Sequence, residues 1–406
     1  MTDCLICGSS VETFMSFGKM PIANAFLTPN DFANEYFFEL KVGFCSNCTM
    51  VQLTELIERE KLFHEHYAYF SSISLRMAQH FEEFATHVKE NYLISPNPFV
   101  VEIGSNDGIM LRHFASNHIR HLGVEPSGNV AQAAIDRGVN TICKFFETDI
   151  ALEIRDEYGP ADVILGANVM CHIPYLHSVV KGVELLLKPE GVLIFEDPYL
   201  GDIIDKTAYD QIYDEHAFYF SVSSISYLFE QHGLEVVDIE PQDVHGGSMR
   251  YTIARKGMRT PTKAVIDQKA REQAMELDQR VTFDKLRQNI EHSRYELIEL
   301  LQRIKNKGKK IVGYGATSKS TTVLNYCGIG PDLIGFISDT TPNKQGKFTP
   351  GMHIPVKPYE EFVANYPDYA LLFAWNHGKE IMAKELKFKN QGGKFIVYIP
   401  SVKILD

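Results

Sequence analysis

The stretch Phe99-Val-Val-Glu-Ile-Gly-Ser-Asn-Asp-Gly108 decides the fold. A short apolar run ends in a glycine-bearing loop, and IMLRHFASN after it turns to helical spacing. Strand, tight loop and helix together open a parallel α/β sheet with helices on both faces. The loop is not a dinucleotide fingerprint, which needs GxGxxG so that the backbone can meet a pyrophosphate. Asn106 stands where the second glycine would be, and Glu102 leads the motif. Gly104 and Gly108 still permit close backbone approach. Acidic side chains at Glu102 and Asp107 suit a ligand with a cationic end better than one with a pyrophosphate. The plain alternative is an acidic loop before a helix that binds nothing.

Working outward, strands and helices keep alternating. HLGVEP ends at Glu125, where a carboxylate can accept both hydroxyls of a ribose. ADVILGANV ends at Asn168, on the rim where ligands of such sheets lie. LLKPEGVLIFEDPY reads as a helix, a Pro-Gly turn and a strand, the usual fifth strand of S-adenosylmethionine-dependent methyltransferases. That cofactor carries an ammonium and a sulfonium, which matches the acidic loop. HGGSMRYTIA, with His245 and Arg250, reads as the turn between the last two strands of this sheet. The stretch FHEHYAYFSSISLRMAQHFEEFATHVKE ahead of the sheet reads as a polar, aromatic-rich helix carrying His64, His66, Tyr67 and Tyr69. Histidines two apart on a helix diverge, so HEH is a poor metal pair.

Beyond Gly257 comes a long polar stretch in which Phe283, Leu286, Ile290, Leu297, Leu301 and Ile304 recur at spacings of three, four and seven. This is one apolar face of a connecting helix. KKIVGYGA then begins a second, smaller α/β series. GYGATSKS puts Ser318 and Lys319 where a strand meets a helix, a place suited to phosphate. Without a third glycine it is a weak dinucleotide site, and an empty structural loop is the alternative.

The first 60 residues read as loops, turns and short strands with too few apolar residues for much of a core. Cys4-Leu-Ile-Cys7 and Cys45-Ser-Asn-Cys48 form two CxxC pairs. Two such turns supply the four sulfurs of a closed tetrahedral zinc site, which is structural because no position is left open. Redox or buried cysteines are the alternative for these four. Cys143, Cys171 and Cys327 are expected to be small buried hydrophobes.

The chain has 406 residues, enough for two or three domains, with 52 acidic against 40 basic residues and a net charge of −12. That balance argues against a nucleic-acid surface, which needs clustered Lys and Arg. Neither a long apolar run nor a charged, apolar leader is seen, so the expectation is a cytoplasmic protein without a membrane span. The expected boundaries are 1–60 for a zinc-binding domain, 61–257 for a methyltransferase domain and 258–406 for a linking helix and C-terminal α/β domain.

The chemistry is sought in Ala208-Tyr-Asp-Gln-Ile-Tyr-Asp-Glu-His-Ala-Phe-Tyr219, which packs Tyr213, Glu215 and His216 together just past the fifth strand. Histidine is the natural base near neutral pH, and a nearby phenol or carboxylate sets its tautomer or charge. A half-buried aromatic loop with a merely hydrogen-bonded histidine is the structural alternative.

The ordered motifs, VEIGSNDGIMLR, ANVMCHIPY, FEDPYLGDI, YDEH, HGGSMRYT, GYGATSKS, DTTPNKQ and LLFAWNH with the cysteine pairs, resemble the sugar 3-C-methyltransferases of the tetronitrose-pathway type over nearly the whole chain. The resemblance implies a methyl transfer to carbon 3 of a nucleotide-linked 4-keto-deoxysugar. It implies three parts: zinc segment, methyltransferase domain, and a C-terminal α/β domain closing over the sugar nucleotide. It matches His216 to the family's base, with Glu215 and Tyr213 beside it, and Tyr67 to an active-site tyrosine. Asn168 and His172 would line the site, and Cys4, Cys7, Cys45 and Cys48 would hold zinc. Glu102, Gly104, Asn106, Asp107, Gly108, Glu125 and Asn168 are the expected cofactor contacts. His245, Ser318 and Lys319 join Tyr67, Asn168 and His172 as expected substrate contacts, and a monomer is expected. An O- or N-methyltransferase is the first alternative, because cofactor motifs do not choose the acceptor atom. A nicotinamide oxidoreductase using GYGATSKS leaves the GSNDG loop unexplained, and a non-catalytic zinc adaptor leaves YDEH unexplained.

Overall fold

The computed structural model describes residues 2–65, 67, 70–73 and 75–405. The strand Phe99–Ile103 is buried along its length and lies inside a seven-stranded sheet. In that sheet the strands run in the order Leu234–Gln242, Ser248–Arg255, Leu187–Pro198, Ala161–Ala167, Phe99–Ile103, Arg120–Val124, Thr141–Ile142. The five strands from Leu187–Pro198 to Thr141–Ile142 pair parallel, whereas Ser248–Arg255 pairs antiparallel with both its neighbours. The expected Pro-Gly turn is absorbed into Leu187–Pro198: Ala161 pairs with Leu187 and Val163 with Val192, so the residues around Pro189 bulge from the ladder.

A second, six-stranded sheet holds Val356–Lys357, Ile337–Ser338, Ile311–Tyr314, Tyr369–Leu372, Lys394–Val397 and Lys403–Leu405 in that order, parallel except for the last strand. Each α/β sheet has a point where strand order reverses, and ligands of such sheets sit outside the carboxyl ends there. The reversal falls between Phe99–Ile103 and Ala161–Ala167 in one sheet and between Ile311–Tyr314 and Tyr369–Leu372 in the other. Residues just past all four strands line one cavity, so the two sheets present their binding edges to each other.

The helix Arg280–Asn306 buries Phe283, Leu286, Ile290, Leu297, Leu301 and Ile304, the face its periodicity marks. The helix Lys263–Ala274 belongs with the seven-stranded sheet: Glu272 accepts backbone N–H groups of Val222 at 2.6 Å and Ser223 at 2.9 Å.

Three local expectations give way to tertiary packing. The opening segment is a meander with a 12-residue strand, Ser10–Pro21, and an eight-residue one, Phe37–Phe44. Its apolar side chains serve a shared core, with Phe14 tilted against Phe283 and Phe44 stacked on it at ring distances of 5.0 and 4.4 Å. The long helix expected from Phe63 begins only at Leu75, because Phe63, Tyr67 and Phe70 all turn to the cavity instead of following one helical stripe. His66 and Tyr69 lie outside the described residues. Cys171 and Cys327 are buried as expected, but Cys143 is exposed, at the end of the edge strand Thr141–Ile142. Among the described residues no helix is long and apolar enough to cross a membrane.

Candidate active site

The shared cavity has a volume of about 470 Å³. Its floor is the loop after Phe99–Ile103. Gly104 adopts φ +65°, and a Cβ there would lie 2.5 Å from Val169 Cγ2, so both the turn and the close approach require glycine. Asn106 is also left-handed, at φ +48°. Glu125 faces the cavity and braces the loop: its Oε2 accepts from Asn106 N at 3.0 Å and its Oε1 from Ser127 N at 2.8 Å.

Of the expected cofactor contacts, Gly104, Asn106, Glu125 and Asn168 line the cavity, and Glu102, Asp107 and Gly108 do not. Glu102 is buried beneath the loop, where desolvation and the charges of Glu125 and Asp107 push its carboxyl well above the usual range. Asp107 pairs with Arg137 at 2.7 Å and with the Ser72 hydroxyl. Gly108 lets Val139 pack close, since a Cβ there would meet Val139 Cγ2 at 2.9 Å. These three build the loop, and Glu125 is the acid beside it that lines the cavity.

Opposite the loop runs the segment 207–222, buried throughout. Phe218–Tyr219 pairs antiparallel with Val51–Leu53, which fastens the segment to the N-terminal sheet. His216 Nδ1 lies 2.8 Å from the Gln211 carbonyl oxygen, which can only accept, so Nδ1 carries the proton. Nε2 is left with its lone pair, and the Tyr213 hydroxyl donates to it at 2.8 Å. Burial, with His172 stacked at 5.2 Å, holds His216 well below its ordinary pKa. Burial brings His172 down to about 4. Both rings are therefore neutral near pH 7.

Glu215 accepts from Asn24 Nδ2 at 2.7 Å and from the Tyr67 hydroxyl at 3.5 Å. Burial raises its pKa, opposed by those two bonds and by the Lys344 ammonium. The third wall comes from the six-stranded sheet. Helix Ser318–Cys327 starts there, capped by the Thr317 hydroxyl on Ser320 N. Lys319 Nζ donates to the His245 carbonyl at 2.9 Å, and burial lowers its pKa to about 8. Ser318 Oγ donates to Asn24 Oδ1 at 2.8 Å.

All the expected catalytic and substrate residues, Tyr67, Asn168, His172, Tyr213, Glu215, His216, His245, Ser318 and Lys319, thus reach this one cavity. Sequence reading passed over Asn24, Gln211 and Lys344. The first carries no local signal. Gln211 acts through its backbone carbonyl, which no side-chain pattern reveals. Lys344 sits in DTTPNKQ, a motif quoted without a role, and its ammonium donates to the Ala316 carbonyl at 2.8 Å.

At the far end of the N-terminal domain, Cys4, Cys7, Cys45 and Cys48 gather their sulfurs within 4.8 Å of one another. The Cys4 and Cys48 sulfurs are 3.5 Å apart and those of Cys7 and Cys45 3.4 Å. Each CxxC closes into a knuckle, with Gly8 N on the Cys4 carbonyl and Cys45 N on the Met50 carbonyl, both at 2.9 Å. Contact with Cys4 and burial push the Cys48 thiol up. Thiolates this close repel, and a divalent cation at their centre lets all four ionise, which is the donor set of a closed zinc site.

Comparison with known proteins sets the class. Residues 4–63 match a zinc binding domain, 69–239 a methyltransferase domain and 243–400 a C-methyltransferase C-terminal domain. The fold and matches define an S-adenosylmethionine-dependent C-methyltransferase with an N-terminal zinc-binding domain. Over 407 aligned residues, all of this chain and 97% of the other, it is 37% identical to C-methyltransferase NovU of Streptomyces niveus, and it belongs to that C-methyltransferase family. Solved structures align over smaller parts. A SAM-dependent methyltransferase from Anabaena variabilis covers 43% of this chain and 84% of its own at 15% identity and a TM-score of 0.35. The magnesium protoporphyrin IX methyltransferase from Synechocystis, with bound SAM, covers 49% and 89% at 12% identity and a TM-score of 0.35.

Proposed function

We propose that the protein methylates carbon 3 of a nucleotide-linked 4-keto-6-deoxysugar, with His216 as the base. The observation that carries this reading is the neutral His216, its proton held on Gln211 and its lone pair turned to the Tyr213 hydroxyl at the cavity wall. A 4-keto group acidifies the proton on carbon 3. As the Tyr213 hydroxyl turns from Nε2 to the developing enolate oxygen, His216 Nε2 takes that proton; Tyr67 is the alternative donor to the enolate. Bound S-adenosylmethionine supplies an electrophilic methyl on its sulfonium. Glu125 orients the cofactor's ribose, and the acidic end of the cavity favours its positive charge. Ser318 and Lys319, at the start of their helix, face the anionic part of the substrate. In this reading 1–60 is the zinc domain, 61–257 carries the cofactor and base, and 258–406 contributes the sugar-nucleotide side.

The test offers thymidine-, guanosine- and cytidine-linked 4-keto-6-deoxysugars with labelled adenosylmethionine and locates the new methyl by NMR. Methyl on carbon 3 is expected; methyl on oxygen or nitrogen overturns the reading. His216→Asn should lower turnover by about 10²–10⁴ while cofactor affinity is kept. With ketosugar in D₂O, proton exchange at carbon 3 seen with the wild type should be lost in the variant. Near-normal methylation by His216→Asn would pass the role to Tyr213 or Tyr67.

A further inference from the structure

Asn24, from the N-terminal domain, reaches the shared cavity. Asn24 follows the strand Ser10–Pro21 and lies between the buried segment 207–222 and the helix Ser318–Cys327. Its Nδ2 donates to Glu215 Oε1 at 2.7 Å, and its Oδ1 accepts from Ser318 Oγ at 2.8 Å. The backbone beside it is fastened to the same two elements. Ala23 N donates to Asp214 Oδ1 at 3.0 Å, and the Ala23 carbonyl accepts from Thr321 Oγ1 at 2.9 Å. A third bond, Thr322 Oγ1 to the Ile212 carbonyl at 2.7 Å, ties those elements to each other.

We propose that Asn24 is a positioning residue for the methyl transfer, its amide seated between Ser318 and Glu215 so that it presents a donor to Glu215 and keeps that carboxylate ionised and in place. This rests on the proposed role of Glu215 beside the base. The two ends of an amide are chemically opposite, one donating and one accepting. Turned over, Asn24 would set a carbonyl oxygen 2.7 Å from a carboxylate oxygen, with no proton between them. An ionised Glu215 accepts only the donating end, and the Ser318 hydroxyl, which can donate or accept, satisfies the carbonyl end left over.

The groups facing Glu215 show why one donor matters. Tyr67 and Lys344 also favour the ionised form, while burial opposes it. Asp214, Tyr213 and Cys171 feel the Glu215 charge as a neighbour that raises their own pKa. In so acidic and dry a surrounding, removing a charge-assisted hydrogen bond tips a carboxyl toward its neutral form.

The test is direct. Protein carrying ¹³C at the glutamate carboxyls is titrated by NMR, with Glu215→Gln assigning the signal. Asn24→Asp, nearly isosteric, should raise the Glu215 midpoint by about one unit or more, Asn24→Ala should raise it too, and Ser318→Ala should move it less in the same direction. An unmoved midpoint in Asn24→Asp overturns the proposal. In turnover, Asn24→Ala should lower kcat and shift the acid limb of the pH profile upward, with adenosylmethionine affinity by calorimetry unchanged. In a Glu215→Gln background the same change should cost nothing further; additive losses overturn the proposal. If no ketosugar is methylated, the proposed function fails, and the NMR midpoint still decides the role of Asn24.

Discussion

Replacing Gly104 by alanine separates two reasons for a glycine in the cofactor loop. The residue sits at φ +65°, and an added Cβ would stand 2.5 Å from Val169 Cγ2 and 2.9 Å from Val169 Cβ. Left-handed backbone costs an L-residue roughly 1–2 kcal/mol. Forcing a methyl into packed space adds about 1–3 kcal/mol, so Gly104→Ala should destabilise by about 2–5 kcal/mol in all. Val169 lines the cavity, and it is the group that must move, so cofactor affinity should fall as well. Gly138→Ala is the control: φ is +81°, nothing lies within 4 Å of its Cβ, and only the backbone cost is due. In Gly104→Ala/Val169→Ala the contact with Cγ2 is relieved while the one with Cβ at 2.9 Å stays, so only part of the steric cost should return. Thermal melting and adenosylmethionine calorimetry read both quantities. If Gly104→Ala melts like Gly138→Ala and binds cofactor like the wild type, the close packing of loop on Val169 does not shape the site.

Other consequences follow from the same geometry. Glu125→Ala removes the carboxylate that faces the cavity and braces Asn106, and should weaken adenosylmethionine by roughly 1.5–3 kcal/mol; unchanged affinity in calorimetry would place the ribose acceptor elsewhere. The purified protein should hold about one zinc per chain, and Cys45→Ser should lower folding yield more than the turnover of the folded fraction; a well-folded, zinc-free native protein on metal analysis would refute this. His172 has a folded pKa of about 4, against about 6.5 in the unfolded chain. The unfolded chain therefore binds the extra proton, and this site's contribution, full above pH 6.5, is lost as pH falls toward 4, by at most about 3 kcal/mol. His172→Asn should flatten that part of the stability-against-pH curve, measured by denaturation at pH 7.5 and pH 5.

What was legible in the sequence was what physics writes locally. The buried face of Arg280–Asn306 appears in its spacing because a helix repeats every 3.6 residues whatever it packs against. The two CxxC pairs announce a sulfur cage because each knuckle closes within a few residues, with only the joining of the pairs left to the fold. The cofactor loop was half legible. Its acids show the sign of the potential, but which carboxylate meets the cavity depends on what lies beneath the loop: Glu102 points down under it and Glu125 reaches up from the next strand. The aromatic stretch from Phe63 misled because its rings answer to a cavity built by three distant segments, not to a helix face. Asn24 stands at the far end of this scale. It is one asparagine in the turn Ile22-Ala-Asn-Ala-Phe26, 191 residues from Glu215 and 294 from Ser318, and either bond alone is ordinary. Its meaning arises only where the N-terminal sheet, the buried loop and the second α/β sheet close on one point. A site assembled from three parts of the chain keeps its least legible residues at the seams, where each part's sequence pattern has already ended.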